Sequence, residues 1–407
     1  MKCRYCETEL SYKLLDLGSQ PLANDYIAVS SESHYQEYFP LIVWVCKTCW
    51  LVQCEQFSPK EKIFDDEYAY FSSSSKSWLK HAEDFSTNVI NNNRLSSKSF
   101  VVEIASNDGY LLENFMRQNI ACLGIEPTKS TARVAEEKGI PTIQEFFQYD
   151  LVPEIIAKYQ KADLIICNNV FAHVPNLVDF VRGLRDLLCE DGIITIEFPH
   201  LMELILGKKF DTIYHEHFSY FSLFSSKNIL ENLGLKIFDV EKLKSHGGSY
   251  RLFVCHAQST RIVTKAVEKI LQDELSVGIN NLSFYENFQK EAINIKNHFL
   301  EFLLDQKLAG KKVVAYGAAA KGNTLLNFSG VKQDLISAVF DASESKQGKL
   351  LPGSRIPILA PENIFAENPD YVVVLPWNLI KEIKNYLEPL TLKGTKIVTV
   401  MPTIKFH

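Results

Sequence analysis

The sequence predicts an α/β protein with a central, doubly wound and mainly parallel sheet. A small cysteine-rich domain precedes that sheet and a second α/β domain follows it. Three observations carry this prediction. Two Cys-x-x-Cys pairs lie within the first fifty residues. Between residues 99 and 196, short β-branched apolar runs alternate with stretches of helical periodicity. From residue 311 a strand, small-residue turn and helix recur in that order. At 407 residues the chain has room for two or three domains, expected at 1–70, 71–257 and 258–407.

The first domain is read from cysteine spacing. Cys3-x-x-Cys6 and Cys46-x-x-Cys49 each place two thiolates toward one metal, and four sulfurs around tetrahedral Zn²⁺ are the expected outcome. Free thiols or a redox pair are the alternative. A closed four-cysteine site leaves no position for substrate, so the zinc should hold the fold rather than do chemistry. Residues 16–39 should form an inserted loop or hairpin, and Cys54 should simply pack.

Composition narrows the functional classes. With 46% hydrophobic residues the chain can bury substantial cores. A net charge of −6 and a pI near 6.0 provide no basic footprint for nucleic acid. The N-terminus lacks a signal-peptide core and no run of 18 apolar residues could span a membrane, so a soluble cytoplasmic protein is expected; a monomer acting on a small molecule is a separate expectation. Nine cysteines in a reducing compartment should be thiols or metal ligands.

Residues 65–76 turn polar and aromatic, which marks a boundary; on composition their serines read as linker. An amphipathic helix is expected from Trp78 to Ile90. The strand at residues 100–104 then breaks into Ala105-Ser106-Asn107-Asp108-Gly109, after which Leu111, Leu112 and Phe115 recur at helical spacing. Such a corner exposes backbone N–H groups to a ligand. It is no Gly-x-Gly-x-x-Gly fingerprint, because Glu103 sits inside the strand and Gly109 is its only glycine. An acid, small residues and one glycine suit a cationic ligand with an adenosine, which describes S-adenosylmethionine. Glu126, at the end of the next strand, is placed to bind both hydroxyls of a ribose. A buried corner without a ligand is the bland alternative.

Further strands are expected at 121–125, 141–143, 163–167 and 192–198. Ligands of such sheets sit beyond the strand carboxyl ends, where Asn168, Asn169 and His173 stand. Tyr214-His215-Glu216-His217, flanked by aromatics, is no solvated charge run and reads as an acid/base cluster. It lacks the His-Glu-x-x-His spacing of a zinc protease, and a packed aromatic corner is the structural alternative. The turn His246-Gly-Gly-Ser249 could aim His246 or Arg251 at a ligand. Helices are expected over 262–275 and 282–304. In the last domain Gly317-Ala-Ala-Ala-Lys321-Gly-Asn323-Thr324 forms a second nest suited to a phosphate, and strands over 335–340 and 371–375 follow. The second of these precedes Trp377, which could stack a base, and Asn378, while Asp341 is a further strand-end acid.

Taken together and in order, these motifs resemble the nucleotide-sugar C-methyltransferases, which act on dTDP-4-keto-deoxyhexoses. The likeness spans the whole chain; the softest match is Gly-Ala-Ala-Ala-Lys, where many members have a proline. It implies a zinc domain, a Rossmann-like S-adenosylmethionine domain and a Rossmann-like domain that completes the sugar-nucleotide site. It also implies that His217 is the base, supported by Tyr214, Glu216, His173 and Tyr68, with Tyr70 beside the substrate. A C–H next to a 4-keto group is acidic, so His217 would remove the C3 proton, helped by Glu216, while Tyr214 or His173 donates to the enolate oxygen. O-methylation of a sugar nucleotide, methylation of RNA or protein, and non-catalytic sugar-nucleotide binding are the rival readings. Sequence leaves C3 against C5 open.

Overall fold

The structure is a computed structural model that describes residues 1–29, 35–57, 71–74 and 76–407, the side chains of Ser74, Lys76 and His246 excepted. The loop or hairpin expected over residues 16–39 starts inside a strand that sequence reading did not place. Strands β1 (Tyr12–Gln20), β2 (Ile27–Ala28), β3 (Phe39–Val45) and β4 (Val52–Cys54) follow one another. In β3 every second residue, Leu41, Val43 and Val45, is buried, as a half-covered strand requires. In β1 a register shift between Lys13 and Leu15 brings Leu14 and Leu15 both inside. That bulge broke the alternation and hid the strand from its sequence. Cys54 is buried in β4, as expected of a packing residue.

The central strands are β5 (Phe100–Ile104), β6 (Ala121–Ile125), β7 (Thr142–Ile143), β8 (Ala162–Asn168) and β9 (Leu188–Pro199), then β10 (Ser219–Tyr220), β11 (Leu235–Leu243) and β12 (Ser249–His256). Seven of them form a sheet in the order β11-β12-β9-β8-β5-β6-β7, parallel from β9 to β7 and antiparallel at β9, β12 and β11. β5 is buried along its whole length, which is why it reads as an unbroken apolar run. The expected helix at 78–90 runs over Lys76–Asn93.

β10 does not join this sheet. It pairs antiparallel with β4, so the N-terminal sheet reads β1-β3-β4-β10 and is completed by the segment that follows His217.

The two helices expected at 262–275 and 282–304 run over Lys265–Ser276 and Phe288–Leu308. The second starts later than expected because the Asn281 side chain accepts from Ser283 N–H and closes a separate 3₁₀ turn, Leu282–Phe284. The strands are β13 (Val313–Tyr316), β14 (Val339–Phe340), β15 (Lys349–Leu350), β16 (Ile358–Leu359), β17 (Tyr371–Val374), β18 (Lys396–Thr399) and β19 (Lys405–Phe406). The strand expected at 335–340 is therefore only its last two residues. The sheet runs β16-β14-β13-β17-β18-β19, parallel except at β19, while β15 pairs back onto β2.

The cores cross these boundaries. Cys3, Cys46 and Leu51 pack in one cluster with the central sheet, while Leu15 and Val43 share another with Phe210, Leu325 and Val339. Among the described residues no helix is long and apolar enough to cross a membrane.

Glu274 ties the last third to the central sheet from a fully buried position. Its carboxylate accepts from the Leu223 and Phe224 N–H groups at 2.6 and 2.7 Å, capping the helix Leu223–Asn232, and from His200 Nε2 at 2.7 Å. Burial lowers the His200 pKa, so the ring is a neutral donor. Replacing Glu274 with Ala orphans all three donors. Urea unfolding should show a loss of roughly 3 kcal/mol, and a loss below about 1 kcal/mol would remove Glu274 from this role.

Candidate active site and metal centre

β5 delivers the chain to a turn with three left-handed residues in five: Ala105 at φ 57°, Asn107 at φ 52° and Gly109 at φ 73°. A side chain at Gly109 would come within 2.3 Å of Ile140 Cδ1, so this position has no room for one. The surrounding polar groups are buried and incompletely satisfied. Glu103 Oε2, Ser106 Oγ, Asp108 Oδ1 and both amide atoms of Asn168 lack hydrogen-bond partners among the described residues. Burial holds the Glu103 carboxyl well above the usual carboxylate range, with the negative Asp108 and Glu126 adding to it. Orphaned acceptors around a carboxyl short of positive charge fit the ammonium and sulfonium of S-adenosylmethionine.

Glu126 accepts from Asn107 N–H and Thr128 N–H, both at 2.9 Å, and from the Thr128 hydroxyl. It thus pins the turn itself. Asn169 takes φ 53° and its N–H donates to the Glu197 carbonyl at 2.8 Å, which bends the chain away from β8 beside Asn168. Ser72 N–H donates to Asn107 Oδ1 at 2.9 Å and Ser73 N–H to Asp108 Oδ2 at 3.2 Å. Ser72 and Ser73, read as linker, therefore hold the turn from a 3₁₀ segment, Ser72–Ser74, which composition alone could not reveal.

The four cysteines converge. Their sulfurs lie within 4.8 Å of one another, with Cys3 to Cys49 at 3.6 Å and Cys6 to Cys46 at 3.5 Å. A tetrahedron with Zn–S bonds of about 2.3 Å has edges of about 3.8 Å, so these thiols fit a structural zinc ion. Gln53 Nε2 donates to Cys3 Sγ at 3.2 Å. Arg4, inside the first pair, donates to the Cys54 carbonyl at 2.7 Å and the Pro175 carbonyl at 3.2 Å. The metal centre thereby braces the loop that carries His173.

The residues read from the sequence as an acid/base cluster meet at the junction of the sheets. Rings of Tyr214 and His217 lie 4.1 Å apart, and those of His173 and His217 4.8 Å apart. His217 Nδ1 donates to the Thr212 carbonyl at 3.1 Å. A carbonyl only accepts, so Nδ1 carries the proton and the lone pair sits on Nε2. His173 Nδ1 likewise donates to the Glu216 carbonyl, at 2.8 Å, and burial pushes its pKa down to about 4. The Thr212 carbonyl holds His217 Nδ1, while the carboxylate of Glu216, expected to help the base, accepts from Asn24 Nδ2. His215 serves the fold, its Nε2 donating to the Phe39 and Pro40 carbonyls. Asn24 and Thr212 were missed because neither carries a motif; only the fold brings them here. Tyr68, Tyr70 and the side chain of His246 lie outside the described residues. Arg251 is not aimed at a ligand: it pairs with buried Glu197 at 2.6 Å.

In the last domain Lys321 Nζ donates to Asn378 at 2.8 Å and stands over the Trp377 ring, 4.8 Å from its centroid. Trp377 Nε1 donates to buried Asp211 at 2.6 Å, so its indole is already engaged on edge and face. Asp341 accepts from Ala318 N–H and Ser343 N–H and closes the loop after β13. Asn323 donates to the Ala23 carbonyl at 2.6 Å and Thr324 to the Ile213 carbonyl at 2.9 Å. Both side chains stitch domains together rather than lie open to an anion.

Family models match along the chain: a zinc binding domain at residues 3–64, a methyltransferase domain at 80–240 and a C-methyltransferase C-terminal domain at 244–402. The chain is 33% identical over 401 residues to the C-methyltransferase NovU of Streptomyces niveus, covering 98% of this chain and 95% of that protein. Magnesium protoporphyrin IX methyltransferase from Synechocystis PCC 6803, solved with bound SAM, has 14% identity and a TM-score of 0.33, covering 44% of this chain and 79% of that chain. The PH0226 protein from Pyrococcus horikoshii OT3 has 14% identity and a TM-score of 0.36, covering 49% and 99%.

Because the β4 pairing of β10 hangs on the metal centre, zinc removal should be felt beyond it. Metal analysis of the intact protein should find one zinc per chain. Stripping it with a chelator should speed amide hydrogen exchange at Ser219 and Tyr220 at least tenfold, a local loss of about 1.4 kcal/mol. Unchanged exchange there would uncouple the metal from the active-site segment.

Proposed function

Since this chain belongs to the S-adenosylmethionine-dependent C-methyltransferases, we propose that it methylates the C3 carbon beside the 4-keto group of a nucleotide-linked deoxysugar, dTDP-linked by its resemblance to that family. The enzyme acts in deoxysugar biosynthesis in the cytoplasm. Its division of labour follows 1–70 for zinc, 71–257 for the methyl donor and 258–407 for the sugar nucleotide.

One observation carries the reading: His217 Nδ1 donates to the Thr212 carbonyl, which makes Nε2 the basic nitrogen of the ring. Nε2 takes the C3 proton, made acidic by the neighbouring carbonyl. Tyr214, whose ring lies against His217, donates its hydroxyl to the enolate oxygen as negative charge develops. His173 is the poorer donor of the two, since it is neutral and its one N–H already serves the Glu216 carbonyl. Its part is to hold the Glu216 backbone and wall the pocket. Glu103, Ser106, Asn107, Glu126 and Asn168 hold the donor, with the glycine at 109 keeping the turn open. S-adenosylmethionine, when bound, supplies an electrophilic methyl to the enolate carbon. Lys321, beside Asn378, supports binding of the diphosphate of the substrate.

His217→Ala should lower kcat by at least about 10²-fold while leaving S-adenosylmethionine affinity within about twofold of wild type by calorimetry. Near-normal turnover of the variant would remove His217 from the base role. Incubation of wild type with a dTDP-4-keto-deoxysugar in D₂O, without methyl donor, should exchange the C3 hydrogen. Methylation of a hydroxyl without such exchange would mark an O-methyltransferase.

A further inference from the structure

We infer that Asp211 is a positioning residue for the His217 base, held in place by Trp377 of the last domain; the inference rests on the reading of His217 as base. Thr212, whose carbonyl orients His217 Nδ1, lies between two pinned neighbours. On one side the Asp211 carboxylate accepts from Trp377 Nε1 at 2.6 Å. On the other the Ile213 carbonyl accepts from Thr324 Oγ1 at 2.9 Å. Both donors come from the last domain, so the peptide that aims the base is fixed from outside the sheet that binds the methyl donor.

Asp211 is unusual for a residue of a short 3₁₀ turn. It is 1% exposed, and its Oδ1 has no hydrogen-bond partner among the described residues. A merely structural turn would place a solvated or apolar side chain there at lower cost. Its charge is balanced instead by two lysines, Lys321 from the last domain and Lys209 from the central one, which also flank the Trp377 ring at 4.8 and 5.8 Å. Burial pushes the Asp211 carboxyl up to about 6, with Lys321 pulling it back. Lys209 further donates to the Gly247 carbonyl at 2.7 Å, and Gly247 packs so closely on Trp377 that a Cβ would lie 2.4 Å from Cη2. The indole is thus locked by its neighbours, and its N–H can hold the carboxylate in one place.

The test reads the histidine ring directly. Full-length protein with ¹⁵N-labelled histidine rings is compared by NMR as wild type, Asp211→Leu, Asp211→Asn and Trp377→Phe, with His217→Ala assigning the signal. Wild type should show a neutral His217 with its proton on Nδ1. Asp211→Leu and Trp377→Phe should mix the two tautomers and lower kcat about tenfold at unchanged KM for S-adenosylmethionine. Asp211→Asn, whose amide oxygen still accepts the indole N–H, should keep the wild-type tautomer. An unchanged His217 signal in Asp211→Leu, or in Trp377→Phe should the first variant not fold, would overturn the inference. So would an Asn variant as disordered as the Leu variant. The tautomer needs no sugar substrate, so an error in the substrate assignment leaves this result readable.

Discussion

Residues 211–220 belong to no single layer of this protein, and the rest of the structure depends on how they are held. From the N-terminal sheet, β4 pairs with Ser219 and Tyr220, and Asn24 reaches the Glu216 carboxylate. From the central domain, His173 holds the Glu216 carbonyl. From the last domain, Trp377 and Thr324 hold Asp211 and the Ile213 carbonyl. No one of these bonds is worth much more than about 1–3 kcal/mol. Together they hold a mostly buried segment with little regular structure in one place, which it could not achieve alone.

The donor site obeys the opposite rule. Several of its buried polar atoms lack partners among the described residues, at a cost of about 1–3 kcal/mol for each one left unmet. Stability is given up at Glu103, Ser106, Asp108 and Asn168 beside a tightly packed apolar core. A ligand that meets those atoms recovers the loss on binding, and recovers it only if it carries positive charge to Glu103. Backbone strain at Ala105, Asn107 and Gly109 keeps that cradle open before the ligand arrives.

Much of this was legible in the sequence because it depends on local signals. Paired Cys-x-x-Cys spacing, unbroken apolar strands and a small-residue turn each act within a few residues, and each appears where it was read. What escaped was set by contacts distant in sequence. The strand Tyr12–Gln20 is bulged, so its alternation is broken. Asn24 and Asp211 carry no motif; they matter because of what lies 192 and 166 residues away. The aromatic at 377 shows the same limit from the other direction. A tryptophan just past a strand reads as a base-stacking platform, yet its indole N–H proved to be committed to a carboxylate in another domain.

The metal centre completes this logic without entering the chemistry. Four thiolates closed around zinc leave it no substrate position, but the knuckle backbone is joined to the active site by two routes. Arg4, between two of the cysteines, holds the Pro175 carbonyl two residues after His173. Cys54 N–H, five residues after Cys49, donates to the Phe218 carbonyl immediately after His217. A small domain with too little core of its own must borrow stability from a metal. Here the borrowed rigidity is passed, through one arginine and one strand pair, to the segments that carry His173 and His217.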